Sequence, residues 1–363
     1  MIERTHKIRL YPNKDQEKLL IKTVGIARFA YNWGISMCRD AYEKGTSLVS
    51  AYALRREWTT NHPKWAEEVA PSCIYRSFMH VEAAYKAFFR RRDGNAPRFH
   101  KKGRHDSFHV ANDKAVIKGS RIRIPGIGYI RMAEQLRYTD ATIKSYTIKL
   151  KNGIWFVMVH CTLPDIHRVT PLTIVGVDVG IKTWAVSSDG TSCTIPDTLL
   201  SLTNRQKKAQ HDHAKKQQGS RRCHKCYNRL SKINRKIHNI KLDTIHKFTA
   251  TIAKNHGVVV VEDLSVKDMQ TSKIKGIRKG VTNSMMSEIL RQLKYKCNHT
   301  VVVDRYFPSS KTCSNCGNVK DDLTLSDRTY HCPSCGHTMD RDMNAAVNLR
   351  NEGLKIIYAG SQR

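Results

Sequence analysis

Four cysteines fall in two close pairs, Cys313-Ser-Asn-Cys316 and Cys332-Pro-Ser-Cys335, with fifteen residues between the pairs. A two-residue spacer turns both thiolates of a pair toward one point. Two such turns make a tetrahedral cage of four sulfurs, the donor set of structural zinc. Gly317 and Gly336 follow the knuckles, where the chain must turn back tightly. A closed four-thiolate cage keeps no open position for a reacting molecule, so this zinc is read as structural. Three acids offer different chemistry. Asp178 interrupts the apolar run IVGVDVG, Glu262 ends VVVVE, and Asp342 stands in DRDMNAAVN. Alternation puts Val175, Val177 and Val179 on one side of a strand and Ile174, Gly176 and Asp178 on the other. A carboxylate in such a strand is costly to bury unless it meets a cation. Asp340 is a good helix N-cap, which sets Asp342 in the first helical turn. Each acid alone fits a solvated strand end or a cap. Three together, in an acid-poor chain, point to convergence in one cleft, where they would repel one another without metal. With two Mg2+ or Mn2+ ions about 4 Å apart they become a clamp for phosphodiester hydrolysis, and hard oxygens suit these ions as thiolates suit zinc.

Other ligand-type residues read as structural. Cys223-His-Lys-Cys226 has the knuckle spacing but lies in a helical stretch without Gly, Pro or a second knuckle, and reads as two helix cysteines. Cys38, Cys73, Cys161, Cys193 and Cys297 read as small core or boundary residues, and His246 as structural.

The elements that must position these groups follow from pattern. Residues 2–11 predict a strand, stopped by Pro12. Asn13 or Asp15 then caps a helix with Leu19, Leu20, Thr23 and Val24 on its apolar face. Gly25 is a plausible break before a second helix from Ala27 to near Gly45. Residues 74–92 predict another helix, with Phe78, Val81, Ala84, Tyr85 and Phe88 as its core face. Residues 108–165 read as β, with an Asn152-Gly153 hairpin and inward residues Tyr146, Ile148, Leu150, Trp155, Val157 and Val159. Pro171 marks a boundary, after which the pattern becomes α/β. Residues 201–256 predict a long basic helical stretch divided at Gly219, a possible self-standing hairpin. Leu230, Ile233, Ile237 and Ile240 form its apolar stripe; Lys232, Arg235, Lys236 and Lys241 form its wet one. Residues 267–283 read as a loop.

Composition says what such a molecule meets. The 363 residues carry 63 Lys plus Arg against 31 Asp plus Glu, a net charge of +32. That excess repels itself in a compact fold and calls for a polyanion, nucleic acid first. Lys86, Arg90, Arg91, Arg92, Arg98, Lys101, Lys102 and Arg104 crowd nineteen positions, opposed only by Asp93 and interleaved with Phe89, Phe99 and, just beyond, Phe108, a mixture that favours phosphate contact and stacking. Hydrophobic residues make up 40%, which excludes a wholly disordered chain. No apolar run reaches a membrane span, the opening MIERTHKIRL has no secretory h-region, and eleven cysteines, four of them in two close pairs, then read as a reduced cytosolic protein with a metal site, not a disulfide framework.

The segments GVDVGIKTWAVSSDG, VVVVEDLSVKDM, VDRYFPSSKTCSNCG and CPSCGHTMDRDMNAAVNL resemble the signature blocks of the OrfB/TnpB family of insertion-sequence proteins, transposon relatives of type V CRISPR effectors. KIRLYPNKDQEKLL and ARFAYNWGI resemble the family's N-terminal helix-turn-helix block, and AYKAFFRRRDGNAPRFHKKG its next one. The resemblance implies a multidomain α/β protein. An RNase H-like RuvC nuclease domain (169–312 and 338–355) carries an inserted zinc ribbon (313–337). A wedge-like N-terminal β-barrel (1–14 and 95–168) carries a helical recognition insert (15–94), and 356–363 form a tail. It implies an RNA-guided DNA endonuclease of a mobile element, Mg2+-dependent, working with a guide RNA from the transposon end on double-stranded DNA beside a short motif. The family's three RuvC acids map onto Asp178, Glu262 and Asp342. Tyr52, Tyr75 and Arg76 are candidate contacts in the recognition segment; Lys86, Arg90, Arg91, Arg98, Lys101, Lys102, Lys232, Arg235 and Lys236 are candidate phosphate contacts. Two other readings stand beside this one: a transposase acting directly on transposon ends, and a non-catalytic nucleic-acid-binding regulator.

Overall fold

The computed structural model describes residues 2–46, 49–91, 95–138, 140–164, 173–324 and 327–361; the expected boundary at Pro171 and the basic residue Arg92 lie outside these. The chain divides into two units, 1–166 and 167–363.

In the first unit β1 (Ile2–Tyr11) is followed by α1 (Lys14–Glu43). Asn13 begins α1 with a capping box: its Oδ1 accepts from Gln16 N at 2.8 Å, and Gln16 Oε1 accepts from Asn13 N at 3.1 Å. Gly25 does not end the helix as expected. A helix-interior glycine costs only about 1 kcal/mol, and the unbroken buried face through Leu20, Val24, Ala27, Tyr31 and Ile35 outweighs it. The predicted pair of helices is therefore one helix of 30 residues. Two further helices, α2 (Ala51–Asn61) and α3 (Tyr75–Arg90), share a core with α1 through Leu54, Trp58, Phe78, Val81 and Tyr85. Six strands follow: β2 (Ser107–Ala111), β3 (Val116–Lys118), β4 (Arg121–Ile124), β5 (Gly128–Met132), β6 (Thr142–Lys151) and β7 (Ile154–Leu163). Among the described residues they form with β1 an antiparallel seven-stranded sheet of order β2-β6-β7-β1-β5-β4-β3. Residues 2–9 of β1 pair with β7 and its last two with β5, so β1 joins the two halves. Asn152 and Gly153, both at positive φ, make the β6–β7 turn that their types predict. Phe108, expected among the interleaved rings, is buried in the sheet's core beside Ile148 and Val157.

In the second unit β8 (Ile174–Asp178), β9 (Ala185–Ser187) and β10 (Ser192–Cys193) precede the helices α4 (Thr198–Ala214) and α5 (Arg221–Asn255). Then come β11 (Val258–Glu262), α6 (Val266–Thr271), α7 (Lys275–Ser284), α8 (Met286–Lys296) and β12 (His299–Val303). A short hairpin, β13 (Thr329–His331) and β14 (Thr338–Asp340), leads into α9 (Arg341–Ser361). Among the described residues the main sheet has the order β10-β9-β8-β11-β12, with β8, β11 and β12 parallel and β9 and β10 antiparallel. Three expectations are corrected. Residues 267–283 are largely helical, because Val281 is buried and Met269 and Ile277 pack on the core. The α4–α5 hairpin is not self-standing: Leu199, Leu202, Ala209, Ile233 and Ile237 share one core with Val175 and Val177 of β8. Lys241, expected on the wet stripe, is half-buried; its ammonium donates to Asn283 O at 2.8 Å and lies 6.0 Å from the Trp184 ring. Among the described residues no helix is long and apolar enough to cross a membrane.

Candidate metal centres

The four ribbon cysteines come together as their spacing requires. Their sulfurs lie within 4.8 Å of one another, with Cys313–Cys335 at 3.7 Å and Cys316–Cys332 at 3.6 Å. Sulfurs bound tetrahedrally to one zinc at about 2.3 Å stand roughly 3.8 Å apart, so the cage fits zinc. Each knuckle closes on itself: Gly317 N donates to Cys313 O at 3.0 Å, and Gly336 N to Cys332 O at 3.1 Å. Both glycines have positive φ, which the sharp turn demands. The His337 backbone N–H, with help from Asn315, pulls the Cys335 thiol down to about 6, toward the thiolate a metal needs.

The acids are held by the sheet. Val177 of β8 pairs with Val261 of β11, so Asp178 and Glu262 end two adjacent parallel strands on the same edge. Strand alternation falls as predicted, with Val175 and Val177 in the main core and Ile174 in a second cluster against Leu349 of α9. Helix α9 lies on the Gly176 side of β8. A Cβ at Gly176 would stand 2.0 Å from Ala346 O, and one at Gly353 2.4 Å from Val260. These two glycines let α9 approach the strands closely enough to bring its first turn to the acidic edge. Asp340 Oδ1 caps that turn, accepting from Asp342 N and Met343 N at 3.0 Å each. Burial, reinforced by the Asp342 and Glu262 charges, pushes the Asp178 carboxyl up to about 7, while Arg341 works the other way. Burial, with Asp263 adding, pushes Glu262 up to about 7. Among the described residues only the four cysteines gather three or more ligand atoms within 4.8 Å of one another; the three acids face one another at longer range. Hard carboxylates, two of whose charges raise the proton affinity of Asp178, make a donor set for a divalent cation such as Mg2+.

Several residues that position the acids carry no chemistry of their own in the sequence. Asn344 Nδ2 donates to Thr312 O at 2.7 Å, and its Oδ1 accepts from Ser314 N at 3.0 Å. Asn348 Nδ2 donates to Ser309 O at 2.8 Å and Thr312 O at 2.6 Å. One face of α9 thus grips the first zinc knuckle. Arg341 donates from Nη1 to Thr324 O at 3.1 Å and Asp327 O at 3.3 Å. Its buried Nε has no hydrogen-bond partner and stands 3.9 Å from Asp342 Oδ1.

The proposed nucleic-acid contacts lie mostly on solvated faces. Tyr52 is 76% exposed. The Arg55 guanidinium stacks on Tyr75 at 3.8 Å. Arg76, Arg90, Arg91, Arg98, Lys101, Lys102, Lys232 and Lys236 are exposed, Arg235 half-buried, and Lys86 pairs with Glu82 at 2.6 Å.

Three family models match the chain. They are a "Helix-turn-helix domain" of the OrfB_IS605 set at residues 1–47, an OrfB_IS605 "Probable transposase" at 159–273, and a "Cas12f1-like, TNB domain" at 287–349. A Streptomyces pristinaespiralis protein, "Putative RNA-guided DNA endonuclease", is 29% identical, covering 99% of this chain and 91% of the relative. "Putative RNA-guided DNA endonuclease InsQ" of Escherichia coli is 27% identical, covering 98% and 93%. Among solved structures, the mini-RNA-guided endonuclease CRISPR-Cas_phi3 matches at a TM-score of 0.52 and 9% identity, covering 97% of this chain and 92% of that one, a likeness of fold.

Proposed function

We propose, from the premise that the chain belongs to the OrfB/TnpB family of insertion-sequence proteins, that it is an RNA-guided DNA endonuclease of a mobile element with a single RuvC site. The observation that carries the reading is the edge where two parallel strands end in Asp178 and Glu262 and the first turn of α9 adds Asp342. The five-stranded order of that unit supports an RNase H-like RuvC domain over 169–312 and 338–355, with the ribbon at 313–337 inserted and 356–363 as a tail. In the first unit, 1–14 and 95–168 would form the wedge-like barrel and 15–94 the recognition insert.

Asp178, Glu262 and Asp342 would hold Mg2+ or Mn2+, most simply as a pair of ions. When bound, such ions supply an activated water and a counter-charge for the leaving oxygen. The chain's own part is to fix the carboxylates. The strands set Asp178 and Glu262 side by side, and Asp340 holds the helix turn that carries Asp342. Arg341, joined to the ribbon through Thr324 and Asp327, lies beside Asp342 and tempers the negative charge of the cleft. Sequence would be read by pairing between a guide RNA and the target strand, with the basic surface, Lys86 to Lys102 and Lys232 to Lys236, holding backbone phosphates and Tyr52, Tyr75 and Arg76 near the adjacent motif. One site implies that the two DNA strands are cut in turn. A protein with this activity works where prokaryotic DNA lies, in the cytoplasm.

The test is cleavage by protein purified with its co-expressed RNA. A plasmid carrying the matching sequence should be cut with Mg2+, not with EDTA, and not by Asp178→Ala. Strand joining without RNA would favour a transposase, and tight salt-sensitive binding without cutting would favour a regulator.

A further inference from the structure

The turn between α4 and α5 holds a thiol–imidazole cluster that nuclease chemistry does not use. Residues 215–220 connect the two helices, with Gly219 at φ +81. Ser220 caps α5, its Oγ accepting from Cys223 N at 3.1 Å. The last turn of α4 therefore meets the first turns of α5, and Cys223 Sγ stands 3.6 Å from His213 Nε2. A sulfur and an imidazole nitrogen on one tetrahedral zinc, at about 2.3 and 2.0 Å from the metal, lie roughly 3.5 Å apart. Cys226 follows three residues on. Residues so spaced share a helix face, with Cβ atoms about 5–6 Å apart. Its sulfur is not within the 4.8 Å that the ribbon ligands keep, and rotation about its side-chain bonds can bring two such thiols to one ion. His213, Cys223 and Cys226 are all half-buried, and the Tyr227 ring lies 6.0 Å from that of His213. Lys216, Arg222 and Lys225 neighbour the cluster in sequence. A bare dication is disfavoured beside them, whereas two thiolates cancel its charge, and sulfur donors favour a soft or borderline metal such as zinc.

We propose that His213, Cys223 and Cys226 form a second site for a thiophilic divalent cation, zinc, with solvent as the fourth ligand, clamping the tip of the basic hairpin. It is separate from the four-cysteine ribbon and does not depend on the nuclease reading.

The experiment is metal counting by mass spectrometry on the full-length chain, free of affinity tag, with its RNA, grown with zinc and dialysed. Wild type should carry two zinc ions per chain. Cys223→Ser and His213→Ala should each carry one, with the ribbon's zinc retained. If Cys223→Ser fails to fold, Cys226→Ser gives the same reading. One zinc per chain in the wild type overturns the proposal, as does retention of both ions in the folded serine variants. A single zinc together with a Cys223–Cys226 disulfide, seen as the loss of two hydrogens reversed by reductant, also overturns it, in favour of a redox dithiol.

Discussion

The ribbon and the acidic edge hold their ligands in opposite ways. The four cysteines stand at ligand spacing because each pair is built into one tight turn, closed by its own backbone hydrogen bonds. The three acids come from two strands and a helix far apart in sequence, and stand at longer range than the ribbon thiols. Soft ligands on local turns are positioned by the backbone. Hard carboxylates on distant elements are positioned by the sheet and by the helix packed against it.

That contrast is broken most severely at Asp178. Asp178→Ala should abolish cutting, a loss of about 1000-fold or more, while leaving zinc content and melting temperature near wild type; wild-type cleavage rates in this variant would remove the acid from the chemistry. Next is Cys313→Ser, which leaves three thiolates and breaks a locally built site. Because structural metal binding and folding are linked, soluble yield and ribbon zinc should both fall, and unchanged zinc stoichiometry would count against the cage. Gly176→Ala tests the non-local positioning. The added methyl meets α9 backbone, so a destabilisation of about 3 kcal/mol, typical of severe overpacking, should appear as a lower melting temperature. Full stability would mean that α9 does not lie on β8 as described. Asn344→Ala removes one grip of α9 on the ribbon and strands Ser314 N, while Thr312 O keeps its bond from Asn348 Nδ2. A loss of about 1–2 kcal/mol follows from one orphaned polar group, measured by urea denaturation.

The smallest effect concerns pH. Asp178 and Glu262 bind protons more tightly in the folded chain, at about 7, than unfolded carboxyls do at about 4. Their contribution to metal-free stability is full below about 4 and is lost as pH rises through about 7. Mg2+ should restore it, with a larger upward shift in melting temperature at pH 8 than at pH 6, and Asp178→Asn should flatten the difference. An equal shift at both pH values would contradict the assignment.

Local features were legible in the sequence. The knuckles, the Asn152-Gly153 turn, the alternation that sets Gly176 and Asp178 on one side of β8, and the cap at Asp340 all follow from neighbours a few residues apart. Tertiary packing accounts for what was not. Gly25 read as a break because glycine's propensity is local, whereas the continuous buried face of α1 is contributed by distant elements. Residues 267–283 read as a loop because their few apolar residues, Met269, Ile277 and Val281, are meaningful only against a core that the sequence does not display. Asn344, Asn348 and Arg341 resemble ordinary helix polars until their carbonyl partners on the ribbon are seen.

The central claim is that Asp178, Glu262 and Asp342 share divalent ions. Electron paramagnetic resonance of Mn2+ bound to the zinc-loaded protein with its RNA tests it directly. The account predicts tightly bound Mn2+ that disappears in Asp178→Ala, Glu262→Ala and Asp342→Ala alike, with the zinc count unchanged. Tight Mn2+ binding that survives the loss of all three acids would contradict it.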